Sequence, residues 1–179
     1  MKKLKTYVLM LAHSFPVHHY QKGESTQFYG KALAGTKIHT VRINAKNWAY
    51  KIDEVNAGRA IISVRQWSGK PYEKGSDQIE LFQMHKCGYE LIEKSDTMGI
   101  YVVNNFPSYQ FVEYQEGFGI GLIPRNDGLT VDEFNSWFAK TDTREYLIII
   151  HFTDFRYTND HHDGVEKYLI PTLNGMQAL

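Results

Sequence analysis

Hydrophobic and polar positions follow regular patterns over most of this chain, and the patterns predict both strands and helices. Residues 5–12 read as a strand that ends before Pro16, and residues 59–67 read as a strand because apolar and polar side chains alternate there. The uninterrupted apolar run 146–152 predicts a central strand that is buried on both faces. Trp48, Ile52 and Val55 recur at i, i+4 and i+7, which predicts a helix over 46–57 that ends at Gly58.

Capping and turn signals predict the remaining elements. Ser25 or Thr26 can begin a helix with Phe28, Ala32 and Leu33 on one face, and Gly35 can end it. Thr130 and Glu133 form a capping box that opens a helix over 130–138, with a buried face of Val131, Phe134, Trp137 and Phe138. Residues 123–128 read as a turn. Further strands are predicted over 37–43, 78–84, 88–93, 99–103 and 109–114.

These elements predict an α+β fold. The short connection between the 37–43 and 59–67 strands predicts that both lie in one curved sheet, with the 46–57 helix packed on its outside.

Charge and cysteine content narrow the range of functions. Lysine and arginine number 20, and aspartate and glutamate also number 20, so the chain is formally neutral. A protein that follows a long phosphate backbone usually has a basic excess, so a nucleic-acid partner is expected to be met through a pocket or small patch. Cys87 is the only cysteine, which excludes an internal disulfide and a cysteine metal cluster.

The beginning of the chain and its longest apolar runs predict an intracellular, cytoplasmic protein. Residues 7–12 follow a basic start but are too short for a signal peptide, so they are interpreted as a first strand. Residues 147–150 are far shorter than a membrane span. We therefore expect no membrane partner. No phosphate-cradling glycine loop is recognised, and no cofactor is expected.

The segment Gly35–Arg42 carries the main candidate chemistry. Thr40 and Arg42 point to the same side of a strand because successive side chains alternate. Lys37 can join them only if it lies in the turn that Gly35 permits, before the strand begins. A hydroxyl beside two cations suits anion or carbonyl binding, or an activated nucleophile. The alternative is a polar edge strand with solvated charges.

The spacing Gly-x-Lys-x-x-Thr-x-Arg resembles the signature of the ASCH domain, a family related to the PUA domains of RNA-modifying proteins. The wider pattern at 15–16, 23–26, 67–72, 126–128 and 151–157 resembles ASCH-like proteins of gut bacteria and their phages. The resemblance implies a PUA-like (ASCH) mixed β-barrel with flanking helices over residues 1–157. Residues 158–179 are interpreted as a C-terminal tail, and the oligomeric state is left open.

The resemblance implies a ligand pocket for RNA, a nucleobase or a modified nucleoside, lined by Lys37, Thr40, Arg42 and Asp127. Some ASCH proteins resemble amidohydrolases that deacylate N4-acetylcytidine with a lysine, a threonine and a glutamate. Lys37 and Thr40 match the first two, and Asp127, one methylene shorter than glutamate, is the closest match to the third. A binding module, an amidohydrolase with Lys37, Thr40 and Asp127 as its catalytic set, and an interaction protein without small-molecule activity all remain open.

Other polar and aromatic residues have both a structural and a functional interpretation. Asp127 lies before a predicted helix, where the helix dipole favours a carboxylate that could act as a general base or simply form an Asx turn. Trp67, Tyr72 and Phe155 are candidates for stacking on a base, or for ordinary packing. Arg65 could make a cation–π contact or contribute to a polar pocket. His39 is predicted to face away from Thr40. His151 and Asp154 have no third ligand evident nearby, so no metal site is expected.

Overall fold

The computed structural model describes residues 4–95, 99–104, 110–111, 121–142 and 146–157. In this part of the chain it shows an α+β arrangement of strands and short helices. The predicted 158–179 tail and most of the predicted 109–114 strand lie outside the described residues. The strands are β1 (Lys5–Leu11), β2 (His39–Arg42), β3 (Ala60–Trp67), β4 (Gln78–Met84), β5 (Tyr89–Ser95), β6 (Gly99–Asn104), β7 (Gln110–Phe111) and β8 (Leu147–His151). The helices are α1 (Phe28–Leu33), α2 (Ala45–Asn56), α3 (Leu122–Asn126) and α4 (Val131–Trp137).

The strands form two sheets. One has the order β1-β3-β4, with β1 parallel to β3 from Lys5↔Ala60 to Leu11↔Gln66. The other has the order β2-β8-β5-β6-β7, and its neighbours are antiparallel. Strand β8 lies between β2 and β5, and its residues 147–150 are completely buried. The apolar run therefore forms the central strand that the sequence predicts.

The expectation that the 37–43 and 59–67 strands share one curved sheet is wrong. Strand β2 pairs with β8, whereas β3 pairs with β1 and β4. The connecting helix α2 contacts β3 and also β8 and β5, so it links the two sheets. Its predicted apolar face is confirmed, because Ile52 and Val55 are fully buried and Trp48 packs against the core.

A side chain, Arg42, bridges the edges of the two sheets. Its Nη2 donates to the Met10 carbonyl of β1 at 2.7 Å, and its Nη1 donates to the Val41 carbonyl of β2 at 2.7 Å. Among the described strands, no backbone ladder joins β1 to β2. The structure therefore has an α+β architecture of two sheets, without a closed barrel in the described residues.

The helix ends agree with the sequence in part. The capping box is confirmed, because the Thr130 hydroxyl accepts from the Glu133 amide and the Glu133 carboxylate accepts from the Thr130 amide. Leu33 is half exposed and does not share the buried face of α1. The predicted turn at 123–128 contains the short helix α3 instead, with Pro124 in its first turn, where proline is tolerated. No helix in the described ranges is long and apolar enough to cross a membrane.

The central position of β8 predicts how the fold responds to mutation. Ile149→Ala removes a fully buried side chain and leaves a cavity, so the free energy of unfolding should fall by about 2–5 kcal/mol. Ile79→Ala on β4 is the matched control, since Ile79 is 43% exposed and should cost much less. Urea unfolding of both variants checks the difference. Equal losses of unfolding free energy in the two variants would contradict the difference in burial between Ile149 and Ile79.

Candidate functional site

The turn after α1 places Lys37 before the first residue of β2, so the direction of its side chain is not set by the alternation of the strand. Gly35 has a φ of 71°, which places it in the left-handed region that favours glycine. The amides of Thr36 and Lys37 both donate to the Lys31 carbonyl, each at 3.0 Å. Lys37 therefore precedes the alternating part of β2, as the sequence predicts, and its side chain turns inward.

Lys37 and Asp127 form a buried ion pair between segments that are 90 residues apart. The Lys37 Nζ donates to the Asp127 Oδ1 and, at 2.6 Å, to the Asp127 backbone carbonyl. The same ammonium lies 4.0 Å from the centre of the Phe28 ring, a cation–π contact. Lys37 is 1% exposed and Asp127 is 3% exposed, so the pair is enclosed by protein.

The 126–128 turn, which carries Asp127, is held by the segment that precedes β2. Three successive carbonyls accept hydrogen bonds: Asn126 from the Ile38 amide at 2.9 Å, Asp127 from Lys37, and Gly128 from the Lys31 Nζ at 2.7 Å. Gly128 has a φ of 76°, and a Cβ there would lie 3.3 Å from the Lys37 Cβ. The turn and the lysine thus fit closely together.

Thr40 and Arg42 share one side of β2, and Arg42 lies close enough to Lys37 and Asp127 to act on both electrostatically. The Arg42 Nη1 donates to the Thr40 Oγ1 at 2.7 Å, which confirms that the two side chains point the same way. The positive charge of Arg42 also contributes to lowering the pKa of Lys37, since like charges disfavour each other. In the described contacts, the Thr40 hydroxyl bonds to Arg42 rather than to Lys37 or Asp127.

Burial is the largest cause of the pKa shifts of Lys37 and Asp127. It lowers the pKa of Lys37 to about 8, although the Asp127 carboxylate opposes the change. Burial also raises the pKa of Asp127, although Lys37, Arg42 and the Val41 amide oppose it. Asp127 is the C-cap of α3, so the expected stabilisation by a helix N-terminus does not keep its pKa low. Lys37 can therefore lose its proton close to neutral pH.

Arg65, Trp67 and Tyr72 lie apart from this cluster. Arg65 donates from Nε to the Ser63 Oγ at 2.7 Å and from Nη1 to the Gln78 Oε1 at 3.2 Å, both on the β3–β4 pair. Trp67 and Tyr72 have ring centres 5.1 Å apart, and Tyr72 is 91% exposed. Within the described residues, no hydrogen bond or ring contact joins these three to Lys37, Thr40 or Asp127. The predicted site residues thus form two separate groups.

Sequence reasoning missed a second polar cluster, in which the buried His39, Glu90 and His151 meet the half-buried Tyr157. His39 and His151 are directly opposed on β2 and β8, and the His151 Nε2 lies 2.7 Å from the Glu90 Oε2. The sequence shows that His39 and Thr40 face opposite sides, but it does not show which strand pairs with β2. Among the described residues, no group of three or more His, Cys, Asp or Glu side chains could hold a metal ion.

Comparison with protein-family models, with curated proteins and with solved structures finds no match to this chain. Assignment to a family and to a function therefore depends on the geometry and on the motif.

The close fit at Gly128 predicts how a substitution there affects the contact between the 126–128 turn and Lys37. Gly128→Ala should lower the free energy of unfolding in two ways, through its φ and through contact with Lys37 and Lys31. Gly75→Ala is the matched control, because Gly75 has a φ of 84° but no atom within 4 Å of its would-be Cβ. We expect the control to cost about 1–2 kcal/mol and Gly128→Ala to cost more. Equal costs in urea unfolding would show that the turn does not press on Lys37.

Proposed function

We propose that this chain is a PUA-like domain of the ASCH type, and that it binds a nucleobase or modified nucleoside at the Lys37–Thr40–Arg42–Asp127 cluster. The observation that carries the proposal is the convergence of three motif residues with a carboxylate from a distant segment. An RNA partner would bind through a single exposed base. The neutral chain lacks the excess of basic residues that proteins binding along the phosphate backbone usually have.

The cost of burying these charges supports a functional role. An ion pair removed from water contributes little net stability, and apolar residues of similar volume often serve the fold as well. Lys37 and Asp127 are nonetheless almost completely enclosed, with Arg42 close by. Charged groups with shifted pKa values cluster at binding and catalytic sites more than elsewhere.

The donors and acceptors of the cluster match the edge of a base. Lys37, Arg42 and the Thr40 hydroxyl can donate to ring nitrogens and carbonyl oxygens, and Asp127 can accept from an exocyclic amine. Because the cluster is enclosed, a ligand must displace part of its cover. The 126–128 turn is the candidate for this movement, since polar contacts, three hydrogen bonds to carbonyls and the Lys37–Asp127 ion pair, attach it to the 31–38 segment.

The paired variant Lys37→Met with Asp127→Val tests the proposal, because it removes both charges with only a small change in volume at each position. We expect the free energy of unfolding in urea to fall by no more than about 1–3 kcal/mol, because both charges are removed together but the Asp127 backbone carbonyl loses its Lys37 donor. Binding of nucleosides, measured by titration calorimetry with cytidine, N4-acetylcytidine, uridine and short single-stranded RNA, should weaken by about 100-fold or more.

The control replaces a different ion pair, Arg59 with Glu54, in which Arg59 is largely exposed and Nη2 lies 2.6 Å from Oε1. Arg59→Met with Glu54→Leu should leave binding unchanged. A Lys37/Asp127 double variant that binds as tightly as the native chain would mean that the buried pair serves the fold alone.

A second candidate function is amide hydrolysis of an N4-acylated cytidine, and the lowered pKa of Lys37 favours it. The neutral Lys37 amine would take the Thr40 hydroxyl proton while Oγ1 bonds to the acyl carbon. The C–N bond then breaks, the proton passes to the leaving amine, and water hydrolyses the threonine ester to a carboxylic acid. This route requires Thr40 to turn its hydroxyl proton toward Lys37 while Arg42 continues to donate to its oxygen.

Chromatographic detection of cytidine released from N4-acetylcytidine tests this candidate. Thr40→Val should abolish turnover, Thr40→Ser should retain part of it, and Thr36→Val should leave it unchanged. The rate should rise with pH up to about 8, since Lys37 must lose its proton. Asp127→Glu should raise the rate if the shorter carboxylate limits it. No release by either the native chain or Asp127→Glu would leave only the binding function.

A further inference from the structure

The polar cluster of His39, Glu90, His151 and Tyr157 joins three segments of the chain. The Glu90 Oε2 accepts from the Tyr157 amide at 3.0 Å and lies 2.7 Å from the His151 Nε2. The His39 and His151 rings meet edge to face, with centres 5.7 Å apart. His39 is fully buried, and His151 is 1% exposed. The cluster therefore fixes Tyr157 against β5 and β8, directly beside β2.

Tyr157 connects this cluster to the 126–128 turn. The Asn126 Nδ2 donates to the Tyr157 hydroxyl oxygen at 3.0 Å, and that oxygen lies 3.4 Å from the His39 Nδ1. Because Asn126 is the donor to the oxygen, the hydroxyl hydrogen is free to be donated to the His39 Nδ1 in the tautomer of His39 that carries its hydrogen on Nε2. Burial raises the pKa of Tyr157 well above its usual value, so the hydroxyl keeps this hydrogen.

We propose that His39 and Tyr157 are positioning residues for Asp127, and that proton uptake by His39 releases the 126–128 turn from the segment before β2. The residues act through Asn126, whose carbonyl accepts from the Ile38 amide and whose neighbour Asp127 pairs with Lys37. The functional part of this inference rests on the proposed function, because release of the turn would open the proposed nucleoside site. The coupling of His39 to the turn does not depend on any ligand.

The charged and titratable groups around the imidazoles favour their neutral forms. Burial is the main cause that holds the pKa of His39 well below 6.5, and His151 and Lys37 act in the same direction. The Ile123 backbone opposes this shift. Burial also lowers the pKa of His151, together with Arg156, although Glu90 opposes the change. The Cys87 thiol contacts the His151 carbonyl, and burial raises its pKa to about 12, so it stays uncharged.

A proton on His39 reverses the present hydrogen bond. With a hydrogen on Nδ1, the Tyr157 oxygen would have to accept from both His39 and Asn126 and turn its own hydrogen away, and a positive charge would be added near Lys37. In the open form, water reaches His39 and restores an ordinary pKa near 6.5. Below that pH the open form binds a proton that the closed form does not. The open population should therefore grow about tenfold for each pH unit below 6.5.

Hydrogen exchange of the Ile38 amide measures this opening directly, because its hydrogen bond to the Asn126 carbonyl is the backbone attachment of the turn. Exchange at pH 7.5 and 5.5, corrected for the intrinsic effect of pH, should show about a tenfold loss of protection at pH 5.5. The Ala57 amide, which donates to the Asp53 carbonyl at the end of α2, is the internal reference and should not change.

Two variants and one control complete the test. His39→Gln should remove the acid response of the Ile38 amide, whereas His85→Gln, at an exposed histidine, should keep it. Tyr157→Phe keeps the ring and should weaken protection of Ile38 about fivefold already at pH 7.5, as expected for one lost hydrogen bond. If Tyr157→Phe fails to fold, the acid response of the Ile38 amide in His39→Gln is the measurement that tests the inference.

An Ile38 response that follows Ala57, or that survives His39→Gln, would overturn the inference. Loss of nucleoside binding plays no part in these outcomes. Failure of the proposed function is therefore distinguishable from failure of this positioning role.

Discussion

The capture of the 126–128 turn by the segment before β2 is the interaction on which the candidate site depends. Lys31, Lys37 and Ile38 supply donors to three successive carbonyls, and Lys37 also meets the Asp127 carboxylate. Without this contact the motif would be a short polar strand end. With it, residues from both halves of the chain form one buried cluster, in which the attraction between Lys37 and Asp127 offsets part of the cost of removing both charges from water.

The sequence predicted most elements because periodicity and capping are local. The β8 run, the apolar face of α2 and the α4 capping box depend on neighbours a few residues away. Strand partners are not local, so the separation of β2 and β3 into different sheets was missed. Asp127 shows the same limit. Its distance from α4 could be read from the chain, but its position at the end of α3 and its burial against Lys37 could not.

The candidate residues divide into two electrostatic environments. Lys37, Thr40 and Asp127 are buried, so small changes in distance or protonation alter their energies strongly. Arg65 and Tyr72 belong to the β3–β4 side, where Tyr72 is almost fully exposed and the Arg65–Glu80 contact at 3.7 Å is partly solvated. Charges there are screened by water and salt. A small ligand could use the first environment without touching the second.

Arg42 has a consequence for assembly as well as for the fold. Strand edges with unpaired backbone groups are templates for added strands from other molecules. The Met10 carbonyl of β1 and the Val41 carbonyl of β2 point toward such an edge, and one guanidinium occupies both. A charged side chain at this seam opposes strand addition between copies of the chain. We therefore expect the arginine of the motif to disfavour pairing of this edge with another copy of the chain.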